Sequence, residues 1–218
     1  MTMKIEKDVA IPQIKVGDTV PDFILALVRM NPQIKSLSFT IYAPEPGVQE
    51  RLANSVDRSA ADVVSDFLHH DNRSNKHWEI LVSDLTGEIL REKIASLPAN
   101  LALGLDSKCI FQDASFKYIP MMDFKPPPNI NNLELLKEFL DRIESKGIIV
   151  DSGASYHFYG FDFLDYAQWI RFMGKCLLAP WPDSRWIGHT IIAGSGVLRI
   201  STTETKQKLP SVSEILLR

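Results

Sequence analysis

The sequence predicts an α+β protein built as two packed lobes, one over about residues 1 to 115 and the other over about 116 to 218. Segments that alternate apolar and polar residues, as half-buried strands do, occur between segments with an apolar stripe at helical spacing. The clearest of them follow the order strand, helix, two strands, helix, two strands. The 218 residues, 45% of them hydrophobic, suffice to bury the core of such a fold.

The first lobe contains alternating strand and helix patterns. An apolar stretch from Phe23 to Val28 is compatible with either a helix or a strand. Residues 38–43 and 77–83 are rich in strand-forming residues, and a helix with well-spaced apolar residues is predicted between them, over Ala60 to His69. A second helix is predicted over Glu88 to Leu97. This order indicates an N-terminal α/β lobe.

The second lobe carries the stronger patterns. Residues 116–125 predict a mostly apolar strand, in which Pro120 indicates a bulge or a late start. Asn131 is the predicted N-cap of an amphipathic helix, and a second amphipathic helix is predicted over about residues 162–178. A glycine-containing turn within residues 191–203 predicts a hairpin that closes the sheet.

A hairpin is also predicted between these two helices, over residues 148–160, where a β-branched run is followed by a polar turn and a second strand. Alternation along the second strand places its side chains on two opposite faces. The first set is Ser155, His157 and Tyr159, and the second set is Tyr156 and Phe158. The first set is the chemically interesting one, and the second set is expected to pack in the core.

Charge and cysteine content indicate the general class. The 24 Lys and Arg residues and 27 Asp and Glu residues give a formal net charge of −3, so any phosphate-binding site must be local. Cys109 and Cys176 lack the spacing of a metal site and are typical of buried thiols in a reducing compartment. The first residues contain no apolar leader segment, and no apolar run reaches about eighteen residues. We therefore expect a cytoplasmic protein with no membrane partner.

The motifs argue against three familiar kinds of site. The sequence has neither a glycine-rich phosphate loop ending in Gly-Lys-Ser or Gly-Lys-Thr nor a GxGxxG turn. The run from Gly153 to His157 is not the GxSxG elbow of serine hydrolases, because His157 stands where the second glycine is required. Residues 69–77 contain three histidines and an aspartate that could be drawn as metal ligands, but the polar segment between them is typical of a solvated loop.

Three short motifs occur in a fixed order along the second lobe. They are Met121 to Phe124, Ser152 to Tyr159, which contains a Ser-x-His element, and Leu198 to Ser201. In this order they resemble the catalytic core of archaeo-eukaryotic primases and primase-polymerases, over about residues 116–203. The resemblance implies an RRM-like antiparallel sheet with helices on one face, which agrees with the predicted element order. The aromatic RNP signature of RNA-recognition domains is absent.

The resemblance implies a metal-dependent nucleotidyltransferase in which one strand carries acidic residues at positions i and i+2. Here these positions are Asp123 and Lys125. The Lys125 ammonium opposes a second divalent ion, so we expect one Mg²⁺ or Mn²⁺ ion at most. The family's third acidic residue precedes the last hairpin. Asp183 is the best-placed candidate, with Asp162 and Asp165 as alternatives, so Asp123 and Asp183 are the expected catalytic and metal-binding residues.

The resemblance also implies a pocket for the phosphates of a nucleoside triphosphate. Ser155 and His157 match the family's phosphate-binding Ser-x-His element, and Arg199 on a neighbouring strand could add a bidentate contact. Lys125 could neutralise phosphate charge as a fixed cation. Two functions stay open at this point. One is a primase-polymerase-like nucleotidyltransferase that acts on nucleoside triphosphates and single-stranded or primed nucleic acid. The other is a catalytically degenerate relative that binds nucleotide or nucleic acid without polymerising.

Overall fold

Two antiparallel sheets and six helices make up the parts of the chain that the structure describes, residues 14–44, 58–68 and 75–217. This computed structural model confirms the predicted α+β class. The helices are α1 (Val20–Met30), α2 (Ala60–Leu68), α3 (Gly87–Ala95), α4 (Ile130–Arg142), α5 (Tyr166–Leu177) and α6 (Ser184–Ala193). The strands are β1 (Ile34–Tyr42), β2 (Lys76–Leu81), β3 (Ala102–Phe111), β4 (Phe116–Tyr118), β5 (Met121–Asp123), β6 (Gly147–Asp151), β7 (Tyr156–Gly160), β8 (Val197–Arg199) and β9 (Ser211–Leu216).

The predictions for residues 69–74, including the last residue of the first predicted helix and most of the histidine-rich segment, lie outside the described residues. None of the helices in the described ranges combines the length and the apolar character that spanning a bilayer requires.

The strands form two sheets of different composition. In the first sheet the order is β2-β1-β3-β4, and β8 pairs with another part of β3. In the second sheet the order is β5-β7-β6-β9. The first sheet therefore includes β4 and β8, which follow residue 115 in the sequence. The predicted division into lobes at residues 115 and 116 stays a prediction.

Alternation along the predicted β6–β7 hairpin divides the interior into two cores. Tyr156 and Phe158 pack with α4 and α5, whereas Tyr159 packs with α1 and with apolar side chains of the first sheet. Neighbouring residues of β6 divide in the same way, because Ile148 and Ile149 lie in different cores. The predicted hairpin and the alternation of its side chains are thus confirmed, but Tyr159, predicted with the chemically interesting set, packs in a core instead.

The apolar stretch from Phe23 to Val28, which was compatible with either a helix or a strand, lies in α1. Thr19 caps this helix and forms a reciprocal capping box with Asp22, and a proline stands in its first turn. Phe23, Ile24 and Leu27 are fully buried in the core that α1 shares with both sheets.

The single strand predicted over residues 116–125 is wrong, because two short strands replace it. Strand β4 pairs with β3 in the first sheet, and β5 pairs with β7 in the second. Pro120 lies between them and has no N–H to donate to a ladder. Its carbonyl accepts a hydrogen bond from the Gly160 N–H at 2.7 Å. The proline therefore marks the point at which the chain passes from one sheet to the other.

The hairpin predicted over residues 191–203 is also wrong. Residues 184–193 form α6, which Asp183 caps by accepting hydrogen bonds from the N–H groups of Arg185 and Trp186. Gly194 ends the helix with a φ of 76°. The strand that follows, β8, pairs with β3.

The N-cap predicted at Asn131 lies two residues earlier, at Asn129, and the helix ends at Arg142. Asn129 is its N-cap, and the Asn129 side chain accepts a hydrogen bond from the Asn132 N–H at 2.9 Å. Asn129 is itself extended, with φ −162° and ψ 166°, so its side chain can reach the N–H groups of the first turn.

Replacing Phe158 with alanine should lower the free energy of unfolding by about 3 to 5 kcal/mol, because the ring is fully buried against the helices and its loss leaves a cavity. Phe116→Ala is the matched control. It removes the same atoms from a residue that is 53% exposed, and should cost less than about 1 kcal/mol. Urea denaturation followed by circular dichroism measures both values. Equal losses would contradict this packing.

Candidate functional site

Side chains of both sheets and of α6 line one cleft of about 730 Å³. The first sheet contributes Thr40, Tyr42, His77, Asp106 and Arg199, and the second contributes Asp123 and His157 together with Ser152 and Ser155 of its β6–β7 turn. Trp186, His189 and Thr190 come from α6, and Lys206 comes from the loop after β8. The volume is in the range of small-molecule binding sites.

The structure brings four of the sequence-predicted site residues together in this cleft, namely Asp123, Ser155, His157 and Arg199. Asp123 and His157 are direct register partners in the β5–β7 ladder. Their side chains approach to 3.8 Å between Asp123 Oδ1 and His157 Nε2, and the Ser155 hydroxyl donates to Asp123 Oδ1 at 3.4 Å. Strand pairing therefore places two of the three predicted motifs against each other.

The Asp123 carboxyl is held in an environment that disfavours its charge. Burial and the nearby Asp183 carboxylate raise its pKa to about 7, although Ser155, Lys206 and Arg199 act in the opposite direction. Asp183 is also tied to Asp123 through the backbone, since its N–H donates to the Asp123 carbonyl at 2.8 Å. One Asp183 oxygen, Oδ1, already caps α6.

The His157 imidazole is neutral at physiological pH. Burial, Arg199 and Lys206 lower its pKa to about 3. Its approach to Asp123 is therefore a contact between polar groups and not an ion pair. Within the parts of the chain that the structure describes, His157 Nδ1 is buried without a hydrogen-bond partner. A polar atom of this kind favours a site that a ligand completes.

Arg199 is buried, and most of its hydrogen-bonding capacity is directed at the backbone. Nη1 donates to the carbonyls of Ser201 and Lys208, and Nη2 donates to the carbonyl of Ser152. These bonds use three of the five guanidinium N–H groups. A bidentate phosphate contact by Arg199 stays a prediction, but its observed contacts connect β8 to the β6–β7 turn and to the loop that follows β8.

Lys206 is a site residue that the sequence analysis did not assign to the phosphate pocket. It lines the cleft, and its charge lowers the pKa values of both Asp123 and His157. A small turn positions it, in which the backbones of Thr203 and Lys206 exchange two hydrogen bonds. The surrounding loop has no helical or strand periodicity, so no spacing in the sequence singles out this lysine.

The remaining predicted residues lie elsewhere. Lys125 is exposed and is not among the cleft-lining residues, and its N–H donates to the Trp181 carbonyl at 2.8 Å. Asp165 caps α5, and Asp162 lines a separate, smaller cavity. Asp183 does not line the cleft, but it is the carboxylate that acts electrostatically on Asp123. Among the three alternatives for the third acidic residue, the geometry favours Asp183.

Comparison with known families adds independent information. The model of a family described as AEP-like, archaeo-eukaryotic primase 1D-like, matches residues 81–211, which is more than half of the chain. The matched segment contains all three motifs that carry the resemblance, and it also contains Lys206. No curated protein and no solved structure matches the chain.

In the metal-free protein, Asp123→Asn should remove a loss of stability that develops as pH rises. The folded pKa of about 7 lies above the ordinary value of 3.8, so the folded state binds more protons than the unfolded state between these values. The free energy of unfolding of the wild type therefore falls through this window. The stability of the variant relative to the wild type should grow by roughly 2 to 4 kcal/mol from pH 4 to pH 8.

Urea denaturation of both proteins at a series of pH values measures this difference. His157, whose folded pKa lies below 6.5, makes stability rise with pH in the acidic range, but it does so in both proteins and largely cancels. A relative stability that does not change with pH would contradict the raised pKa of Asp123.

Proposed function

The chain belongs to the archaeo-eukaryotic primase-like family, and we propose that it is a nucleotidyltransferase that uses nucleoside triphosphates to extend or prime a nucleic-acid strand. The family is related to primases, and membership in it indicates, in general, that the protein binds nucleotides and nucleic acid. The observation that carries the proposal is the meeting of Asp123, Ser155 and His157 in one cleft with the cation of Lys206.

The triphosphate is proposed to bind where Ser155, His157 and Lys206 face the cleft. The Ser155 hydroxyl can donate to a phosphate oxygen, and the Lys206 ammonium can neutralise part of the phosphate charge. Burial and the charges of Arg199 and Lys206 lower the pKa of His157, so an anionic ligand near these charges would reverse part of that shift. Arg199 supports the pocket through its contacts with the Ser152 carbonyl.

Asp123 and Asp183 are the residues proposed to hold a divalent ion. Burial and the repulsion by Asp183 raise the pKa of Asp123, and a Mg²⁺ or Mn²⁺ ion held by both carboxylates would relieve that repulsion. Since Asp183 Oδ1 caps α6, the protein offers few oxygens, and phosphate oxygens and water would complete the coordination. A bound ion would supply charge neutralisation at the triphosphate.

The second candidate function is binding of nucleotide or nucleic acid without transfer. Two observations favour it. Lys125 stands where the family's strand usually carries its second acidic residue. Among residues 14–44, 58–68 and 75–217, no three His, Cys, Asp or Glu side chains are grouped so that they could hold a metal ion. The phosphate pocket serves both functions equally, so only an assay of transfer separates them.

Primer-extension and priming assays with Mg²⁺ or Mn²⁺ test the proposed transfer. Product should depend on the ion and should be lost in Asp123→Asn, because the variant keeps the shape of the side chain but loses its charge. Asp165→Asn, at a carboxylate that caps α5 instead of facing the cleft, is the matched control. Because Lys125 is exposed outside the cleft, Lys125→Asp should leave transfer unchanged. A wild type that binds nucleoside triphosphate but never extends with either ion would establish the second function.

Lys206→Ala should weaken binding of a nucleoside triphosphate by roughly 5- to 20-fold, because it removes a charged donor from the proposed phosphate pocket. Lys15→Ala removes an equal charge from an exposed position outside the cleft and should leave affinity unchanged. Lys125→Ala in the same calorimetric series tests the expected phosphate contact of that residue. Equal affinity of Lys206→Ala and wild type for the nucleoside triphosphate would contradict a phosphate contact by this lysine.

A further inference from the structure

The wall of the cleft formed by the first sheet carries a polar chain that the proposed phosphate pocket does not use. Thr40 and His77 are register partners on β1 and β2. The Thr40 hydroxyl donates to Asp106 Oδ1 at 2.7 Å and lies 3.2 Å from His77 Nδ1. His77 Nδ1 lies 4.0 Å from the other Asp106 oxygen. All three residues line the cleft.

The direction of these hydrogen bonds fixes the imidazole of His77. An ionised carboxylate only accepts, so the Thr40 hydroxyl uses its hydrogen on Asp106. The lone pair of Thr40 Oγ1 is then available to accept from His77 Nδ1–H. In the neutral ring the proton is on Nδ1, and Nε2 keeps a lone pair that can accept a hydrogen bond.

Burial differs sharply among these three hydrogen-bonded side chains. The Asp106 side chain is 8% exposed, whereas the His77 side chain is 70% exposed. Burial raises the pKa of Asp106, while hydrogen bonds from Thr40 and Ser38 and the nearby His77 lower it. Burying the Asp106 carboxylate costs free energy. Through the hydroxyl of Thr40, this carboxylate is linked to the exposed imidazole of His77. This arrangement orients a side chain that would otherwise rotate freely.

The cleft therefore offers two kinds of contact. The hydroxyl of Ser155 and the positive charges of Arg199 and Lys206 suit an anion. The Asp106 carboxylate and the acceptor nitrogen of His77 suit a hydrogen-bond donor. A ligand with phosphates at one end and N–H or O–H groups at the other matches both kinds of contact.

We propose that His77, positioned by Thr40 and Asp106, accepts a hydrogen bond from the sugar or the base of the nucleotide bound in this cleft. The proposal rests on the proposed function for the phosphate end of the ligand. A ribose hydroxyl and a base amino group present the same donor chemistry, and the experiment below distinguishes them.

The test is calorimetric binding of adenosine triphosphate, its 2′,3′-dideoxy analogue, inosine triphosphate and inorganic triphosphate. His77→Ala should lose roughly 3- to 10-fold in affinity for adenosine triphosphate, as expected for one neutral hydrogen bond, and should bind inorganic triphosphate as the wild type does. His77→Gln, which keeps an acceptor near the position of Nε2, should recover most of the affinity. Glu79→Gln, on the same strand but not lining the cleft, is the control.

The analogues identify the donor. If His77 binds a ribose hydroxyl, the dideoxy analogue should bind the wild type weakly, and His77→Ala should not lower its affinity further. If His77 binds a base amino group, inosine triphosphate should show the weak binding to wild type and the unchanged affinity in His77→Ala. Full wild-type affinity for both analogues overturns the proposal, as does an equal loss of inorganic triphosphate. A wild type that binds none of the four ligands would instead refute the phosphate pocket and the proposal with it.

Discussion

The guanidinium of Arg199 extends from β8 of the first sheet and donates to the carbonyl of Ser152, in the turn between two strands of the second sheet. This hydrogen bond therefore joins the two sheets at the cleft. Burying a guanidinium lowers its pKa and costs free energy of solvation, which three carbonyl acceptors and the nearby Asp123 offset. The connection reaches the turn that carries Ser155 and the loop that carries Lys206.

The loop after β8 is fixed by the same interaction. Arg199 donates to the Lys208 carbonyl, and the Lys208 ammonium forms an ion pair with Asp151 at the end of β6. The loop is thus attached on one side to the first sheet and on the other to the hairpin that carries Ser155. Lys206 lies within it, so its charge is directed at the cleft although its own side chain is exposed.

How much the sequence could predict depended on whether the information was local. The β6–β7 hairpin was predictable with its faces, because alternation and a polar turn are contained in thirteen consecutive residues. Strand β8 has its partner in β3, far away in the sequence, so the local pattern wrongly favoured pairing with residues 191–193. The cap signal of Asp183 was the local clue to α6, but that residue had been assigned only a chemical role.

The central strand β3 escaped prediction for a reason connected with the cleft. Gly104 and Asp106 interrupt its apolar pattern. A Cβ at Gly104 would lie 2.3 Å from the Val197 side chain of β8, so the glycine permits close pairing of the strand that carries Arg199. Asp106 faces the cleft and not the core. The two residues that make this strand hard to predict are therefore residues that contribute to the site.

The charges around the cleft are unbalanced in two opposite ways. Burial and the repulsion by Asp183 raise the pKa of Asp123, while burial and the charges of Arg199 and Lys206 lower that of His157. A cation would relieve the repulsion between the two carboxylates, and an anion would offset the two positive charges. A cation beside the carboxylates also reduces the cost of bringing phosphate oxygens near them, and the phosphates in turn reduce the cost of the cation. Because such coupling is reciprocal, a metal ion and a triphosphate in the proposed site would each strengthen the binding of the other.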